Sequence, residues 1–135
     1  MPYLNLRLSD EPSVEVVDRA IGLLTDLTVE VLGKKRELVS VAIDTANRGR
    51  WAIGGRLLGA SASHTFYLDI KVTEGTNTKR EKADYLVRVW SGLENLLGVV
   101  DPASYIVIDE VRADAWGYQG RTQEYRHVRS LSSEL

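Results

Sequence analysis

Residues 67–74, Tyr67-Leu68-Asp69-Ile70-Lys71-Val72-Thr73-Glu74, restate residues 3–10, Tyr3-Leu4-Asn5-Leu6-Arg7-Leu8-Ser9-Asp10, almost class for class. Each copy alternates apolar with polar positions, the period of a half-buried strand. The segments after the two copies match as well. After the first, Ser13 can cap a helix whose stripe of Val17, Ala20, Ile21, Leu24, Leu27 and Val31 predicts a run to about Leu32, stopped by Gly33. After the second, Thr78 and Glu81 form a capping-box pattern, and Ala83, Leu86, Trp90, Leu93 and Leu97 lead to Gly98. Leu38–Ile43 predicts a second strand, answered by Tyr105–Asp109, with Asp109 matching Asp44. Trp51 is answered by Trp116, and Gly55-Arg56 by Gly120-Arg121.

Matches at a near-constant offset predict two fused β-α-β units inside a single domain, residues 1–135. Repeat 1 spans about 2–59 and repeat 2 about 65–125, joined by the small-residue linker Gly59–Ser63; residues 126–135 read as a tail. The fold class is α/β (α+β), a four-stranded mixed sheet with both helices on one face. Val39, Val41 and Ile43 alternate with Leu38, Ser40 and Ala42, so the other face also reads as apolar. With no third helix to cover it, self-association is expected. A ferredoxin-like monomer is the rival arrangement, since it too has two halves of strands and helices.

The 135 residues carry a net charge of −2 and no cysteine, which excludes disulfides and thiol chemistry. Scattered Lys and Arg give no nucleic-acid footprint, and no apolar run is long enough to span a membrane. The N-terminus lacks a signal-peptide layout, so a cytoplasmic protein is expected. His64 and His127 are too few and too far apart to suggest a metal site, and both read as surface residues.

The first strand opens on Pro2, and a polar loop after the second leads into Trp51-Ala52-Ile53-Gly54-Gly55. This order resembles the protomer of 4-oxalocrotonate tautomerase, and the fused repeat resembles double-length members of the tautomerase superfamily. Malonate semialdehyde decarboxylase and cis-3-chloroacrylic acid dehalogenase are examples. Glu110-Val111-Arg112-Ala113-Asp114-Ala115-Trp116 matches the decarboxylase spacing between a glutamate and a site tryptophan. The resemblance implies a tautomerase/MIF-like fold, a homotrimer whose sheets close into a barrel, a small-molecule substrate and no cofactor or metal.

It also implies that Pro2 is the catalytic residue. An initiator methionine before proline is normally trimmed, leaving a secondary amine. An α-amine titrates near 7.7–8.0, and a fall of roughly one unit makes the neutral base dominant at pH 7. A neutral Pro2 suits keto–enol tautomerisation of a small 2-oxo or 2-hydroxy-diene acid. A protonated one suits dehalogenation, hydration or decarboxylation. The counterpart of Pro2 in repeat 2, about Phe66, has no free amine, so one site per chain is expected.

The arginines that grip substrate carboxylates in the family are replaced here. Pro12 and Thr76 stand in the loops after the first strands, and Ser40 and Ile106 in the second strands. Arg112, Trp116, Thr73 and Thr76 are the candidate substrate-binding residues, with Arg48 and Arg50 behind them and Glu37 last. Trp51 reads as a core aromatic, and Asp44 and Asp109, being repeated, as structural. The lost arginines keep a third reading open, a non-enzymatic trimeric binding protein with a vestigial site.

Overall fold

The structure, a computed structural model, describes residues 2–133. Met1, whose removal is expected, lies outside the described residues, as do positions 134 and 135 of the tail. In chain order the elements are β1 (Tyr3–Leu8), α1 (Val14–Glu30), β2 (Ser40–Thr45), β3 (Ala52–Ile53) and β4 (Arg56–Leu57). The second half comprises β5 (Phe66–Thr73), α2 (Lys79–Leu97), β6 (Tyr105–Val111), β7 (Gly117–Tyr118), β8 (Arg121–Thr122) and α3 (Gln123–Ser133).

Four strands form one mixed sheet in the order β2-β1-β5-β6. β1 is parallel to β2, β5 is parallel to β6, and the two halves meet antiparallel along β1 and β5, with Leu6 opposite Leu68. The two strands of each half are neighbours, which sets aside the ferredoxin-like arrangement with its split β-α-β units. Leu4, Leu6 and Leu8 of β1 and Phe66, Leu68, Ile70 and Val72 of β5 are buried on one face. Against them lie Ala20, Leu24 and Leu27 of α1 and Tyr85, Val89 and Leu93 of α2. Each fully buried Leu contributes about 1.5–3 kcal/mol, so this layer holds the sheet and helices together.

Ser13 accepts from the Val16 N–H, and Thr78 and Glu81 complete the capping box, so both helices begin where their caps predict. Thr28 Oγ1 donates to the Leu24 carbonyl at 2.7 Å, which leaves its oxygen to accept from the Tyr85 hydroxyl at 3.0 Å. That buried pair ties α1 to α2. Burial pushes the Tyr85 phenol up to about 12.

Three expectations are corrected. The second strand begins at Ser40 rather than Leu38, because Arg36–Leu38 closes a 3-10 turn. The second face of the sheet is mixed rather than apolar: Val41 and Ile43 turn toward the helices, and on the open side Arg7 pairs with Asp44 at 2.8 Å and Lys71 with Asp109 at 2.8 Å among the exposed Tyr3, Tyr67, Tyr105 and Val107. These mirrored pairs give Asp44 and Asp109 the structural role their repetition suggests. Finally, a third helix exists. α3 begins at Gln123, with Thr122 Oγ1 accepting from the Tyr125 N–H, and so takes in most of the expected tail. It packs on the 3-10 turn Ala113–Ala115 and on β8, not across the open face.

Candidate functional site

Pro2 is buried at the head of β1, and its carbonyl accepts from the Ser40 N–H at 3.2 Å. The antiparallel register brings the C-terminal end of β5 to the same edge of the sheet, and β6 ends beside it. The turn out of α1 arrives there as well. Gly33, at φ +68°, lets the chain leave the helix in the left-handed region, and Asn77 Nδ2 holds the Leu32 carbonyl at 2.9 Å.

A cleft of about 330 Å³ opens over Pro2. Lys34, Lys35 and Leu38 form one wall, and Gln123, Arg126 and His127 of α3 form the other. No aspartate or glutamate lines it among the described residues, although the chain as a whole is acidic. Lys34 is half-buried, and its Nζ donates to Thr76 Oγ1 at 2.9 Å. Burial pushes its ammonium pKa down, against the opposing pull of the Glu81 carboxylate. The Arg126 guanidinium stacks 4.2 Å from the Tyr118 ring centroid. The Gln123 amide nitrogen is buried without a hydrogen-bond partner among the described residues.

Of the residues expected at a site, Pro2 lines the cleft and Thr76 adjoins it through Lys34. Thr73 ends β5, and its carbonyl accepts from Thr76 Oγ1 at 2.6 Å. Arg112 is exposed on the loop beyond β6 and makes a two-pronged pair with Asp114, at 3.1 and 3.0 Å. Trp116 is half-buried, and its carbonyl accepts from the Gln123 N–H at 2.8 Å, so it anchors the start of α3. Glu37 is exposed in the 3-10 turn. Trp51 is not part of the core; it lines a groove on the open side of the sheet with Arg7 and Arg50.

Sequence reasoning missed Lys34, Gln123, Arg126 and His127 as residues around Pro2. His127 is exposed, as expected of a surface residue, yet it lines the cleft. Thr122 followed by Tyr125, Val128 and Leu131 at helical spacing is the signal that could have announced α3.

At the opposite end of β1, Arg48 does not face Pro2. Its guanidinium pairs with Asp10 and donates to the carbonyls of Ser61 at 2.7 Å and Ser63 at 2.6 Å. His64 Nδ1 lies 2.7 Å from the other Asp10 oxygen, so His64 is half-buried in an ion cluster rather than free on the surface. Burial pushes the Asp10 carboxyl up, but hydrogen bonds from Arg48, His64 and Ser9 outweigh it and hold the pKa at about 2. The cluster fastens the linker between the repeats to the end of β1.

No family model matches the sequence, and no curated protein matches it. Solved structures do. A wild-type fused 4-OT symmetric trimer superposes with a TM-score of 0.80 at 15% identity, covering 90% of this chain and 96% of that one. Pt0534 inactivated by 2-oxo-3-pentynoate gives 0.82 at 13% identity, covering 92% and 98%. The macrophage migration inhibitory factor-like protein of Entamoeba histolytica gives 0.72 at 21% identity, covering 90% and 97%. The chain therefore has the fold of the fused 4-OT and macrophage migration inhibitory factor structures.

Proposed function

We propose that this chain is a tautomerase-superfamily isomerase. In this reading Pro2, freed as an N-terminal amine by removal of Met1, is general base and then general acid in the keto–enol tautomerisation of a small 2-oxo or 2-hydroxy-diene acid. The observation that carries the proposal is a buried Pro2 at the head of a central strand, in a cleft whose charged residues are all basic. Cations beside an amine disfavour its protonated form, and burial acts in the same direction. The neutral nitrogen takes a proton from the enol hydroxyl or an acidic carbon. The ammonium so formed returns a proton at another position, and the protein ends unchanged. Negative charge building on the substrate oxygen in between is stabilised by the same cations.

Phe66 sits inside the chain and is fully buried, so the second half has no amine to offer. One working site per chain results, and three in the homotrimer we take as the assembly. The likeness to a fused 4-OT trimer supports that assembly. So do the two short hairpins, β3–β4 and β7–β8, which stand outside the main sheet.

Ketonisation of phenylenolpyruvate and of 2-hydroxymuconate tests the proposal. Pro2→Ala is expected to lower kcat/KM by about 10²–10⁴-fold, the usual reach of a positioned acid–base group. An undiminished rate in Pro2→Ala would contradict it.

A further inference from the structure

We propose that the cavity at the end of β1 opposite Pro2 binds a small neutral phenol, whose hydroxyl donates to Nε2 of His64. This is a second site, at the end of the central strand pair that has no N-terminal amine, and it does not rest on the Pro2 reading.

The cavity, of about 200 Å³, lies between the loop after β1, the start of α1 and the end of α2. Leu8, Pro12, Val16, Leu96 and Leu97 give it an apolar lining, and Asp10, Glu11 and His64 bring polar groups to the same space. An engineered cavity of about 150 Å³ walled by apolar side chains takes up benzene, so one six-membered ring with a single substituent fits this volume.

The hydrogen bonds already made specify what the polar side can accept. Asp10 accepts from Arg48, from Ser9 Oγ at 2.9 Å and from His64 Nδ1 at 2.7 Å. An ionised carboxylate only accepts, so Nδ1 carries the proton, and in the neutral ring Nε2 is left as an acceptor. No hydrogen bond reaches Nε2 among the described residues. The backbone fixes the residue in place: the His64 N–H donates to the Val99 carbonyl, and its carbonyl accepts from the Asp101 N–H, both at 2.8 Å. The matching group on a ligand is therefore a donor. Charge narrows the class further. Arg48 offsets the charge of Asp10, whereas Glu11 accepts only from the Thr45 hydroxyl among the described residues, so the lining stays negative. A ligand carboxylate placed there would be repelled. An apolar ring with one O–H and no charge meets all three conditions, and a phenol is the simplest such molecule.

The test titrates phenol, toluene and benzoate, one ring with three substituents, into the full chain. Methyl resonances of Leu8, Val16 and Leu97 are followed by NMR. Phenol should shift them saturably, with a dissociation constant about fivefold below that of toluene, the value of one neutral hydrogen bond. Benzoate should produce no saturable shift at these methyls. His64→Asn keeps an amide near the position of Nδ1, where it can still bond Asp10, and removes Nε2. It should abolish the phenol preference and leave toluene binding unchanged, which also shows that the cavity has stayed folded. His64→Gln carries an amide oxygen near the position of Nε2 and should keep most of the preference.

Shifts with phenol that do not saturate, or that are confined to Leu38 at the Pro2 cleft, overturn the cavity as a site. Equal affinity of the wild type for phenol and toluene overturns the hydrogen bond. A phenol preference that survives in His64→Asn overturns the role of His64, and benzoate binding as tight as phenol overturns the neutral class.

Discussion

Asp10 shows how far a single side chain can depart from its local reading. Its carboxyl titrates at about 2 against an ordinary 3.8, because bonds from Arg48, His64 and Ser9 outweigh the cost of burial. The folded state therefore holds the proton less tightly than the unfolded chain. The stability this confers is complete above about pH 4 and is lost as the pH falls toward 2. The carboxylate is about a third exposed, so screening leaves about 1–2 kcal/mol of it. Arg48→Met should lower the unfolding free energy in urea at pH 6 by that amount and flatten its decline between pH 4 and pH 2. A variant with the wild-type slope would separate the depressed titration from Arg48. In the sequence Arg48 stood only as a distant candidate for substrate binding. Its true partners lie on the linker and on the loop before α1, a meeting that spacing along the chain does not encode.

Elements whose signals are local were legible. Ser13 and Thr78 announced both long helices, and the alternation in Tyr3–Leu8 and Tyr67–Glu74 announced the central strands, observed at Tyr3–Leu8 and Phe66–Thr73. Gly54 and Gly55, both at positive φ, turn the first hairpin, while its repeat uses Gln119 at φ +52° before Gly120. The edge strands were harder. Leu38 and Val39 look like strand residues, but a 3-10 turn takes up Arg36–Leu38, and the pleat then turns Val41 and Ile43 inward. Leu38, counted as a strand residue of the other face, belongs to that turn, which leaves Ser40, Ala42 and Asp44 on the open side. α3 escaped because Tyr125, Val128 and Leu131 lie on its exposed side and its polar residues face the cleft, the reverse of the pattern that marks a packed helix. As a result Pro2 was legible as a candidate while the wall facing it was not.

At the scale of the whole molecule, the repeat yields two similar halves with unlike ends. One end of the central strand pair carries Pro2 in a basic cleft; the other carries the Asp10–Arg48–His64 cluster beside the fully buried Phe66. The open face of the sheet carries ion pairs together with the exposed Tyr3, Tyr67, Tyr105 and Val107, so it offers an assembly both charge and apolar surface. Under the homotrimer reading, the open face, the hairpin arms and the strand edges are the surfaces available for contact between copies. Sedimentation equilibrium should return three times the 15.1 kDa chain mass, insensitive to moderate salt. A mass of one chain across the micromolar range would contradict the trimer.

The catalytic role proposed for Pro2 turns on the state of one nitrogen. The chain has three prolines, Pro2, Pro12 and Pro102, and only Pro2 can carry a titratable amine. Labelling proline with ¹⁵N and following its resonances with pH therefore isolates the group directly. The account predicts one titrating signal with a midpoint below the ordinary α-amine range of about 7.7–8.0, rising toward that range in Lys34→Met. Three non-titrating signals, or a midpoint at about 8 or above, would contradict it.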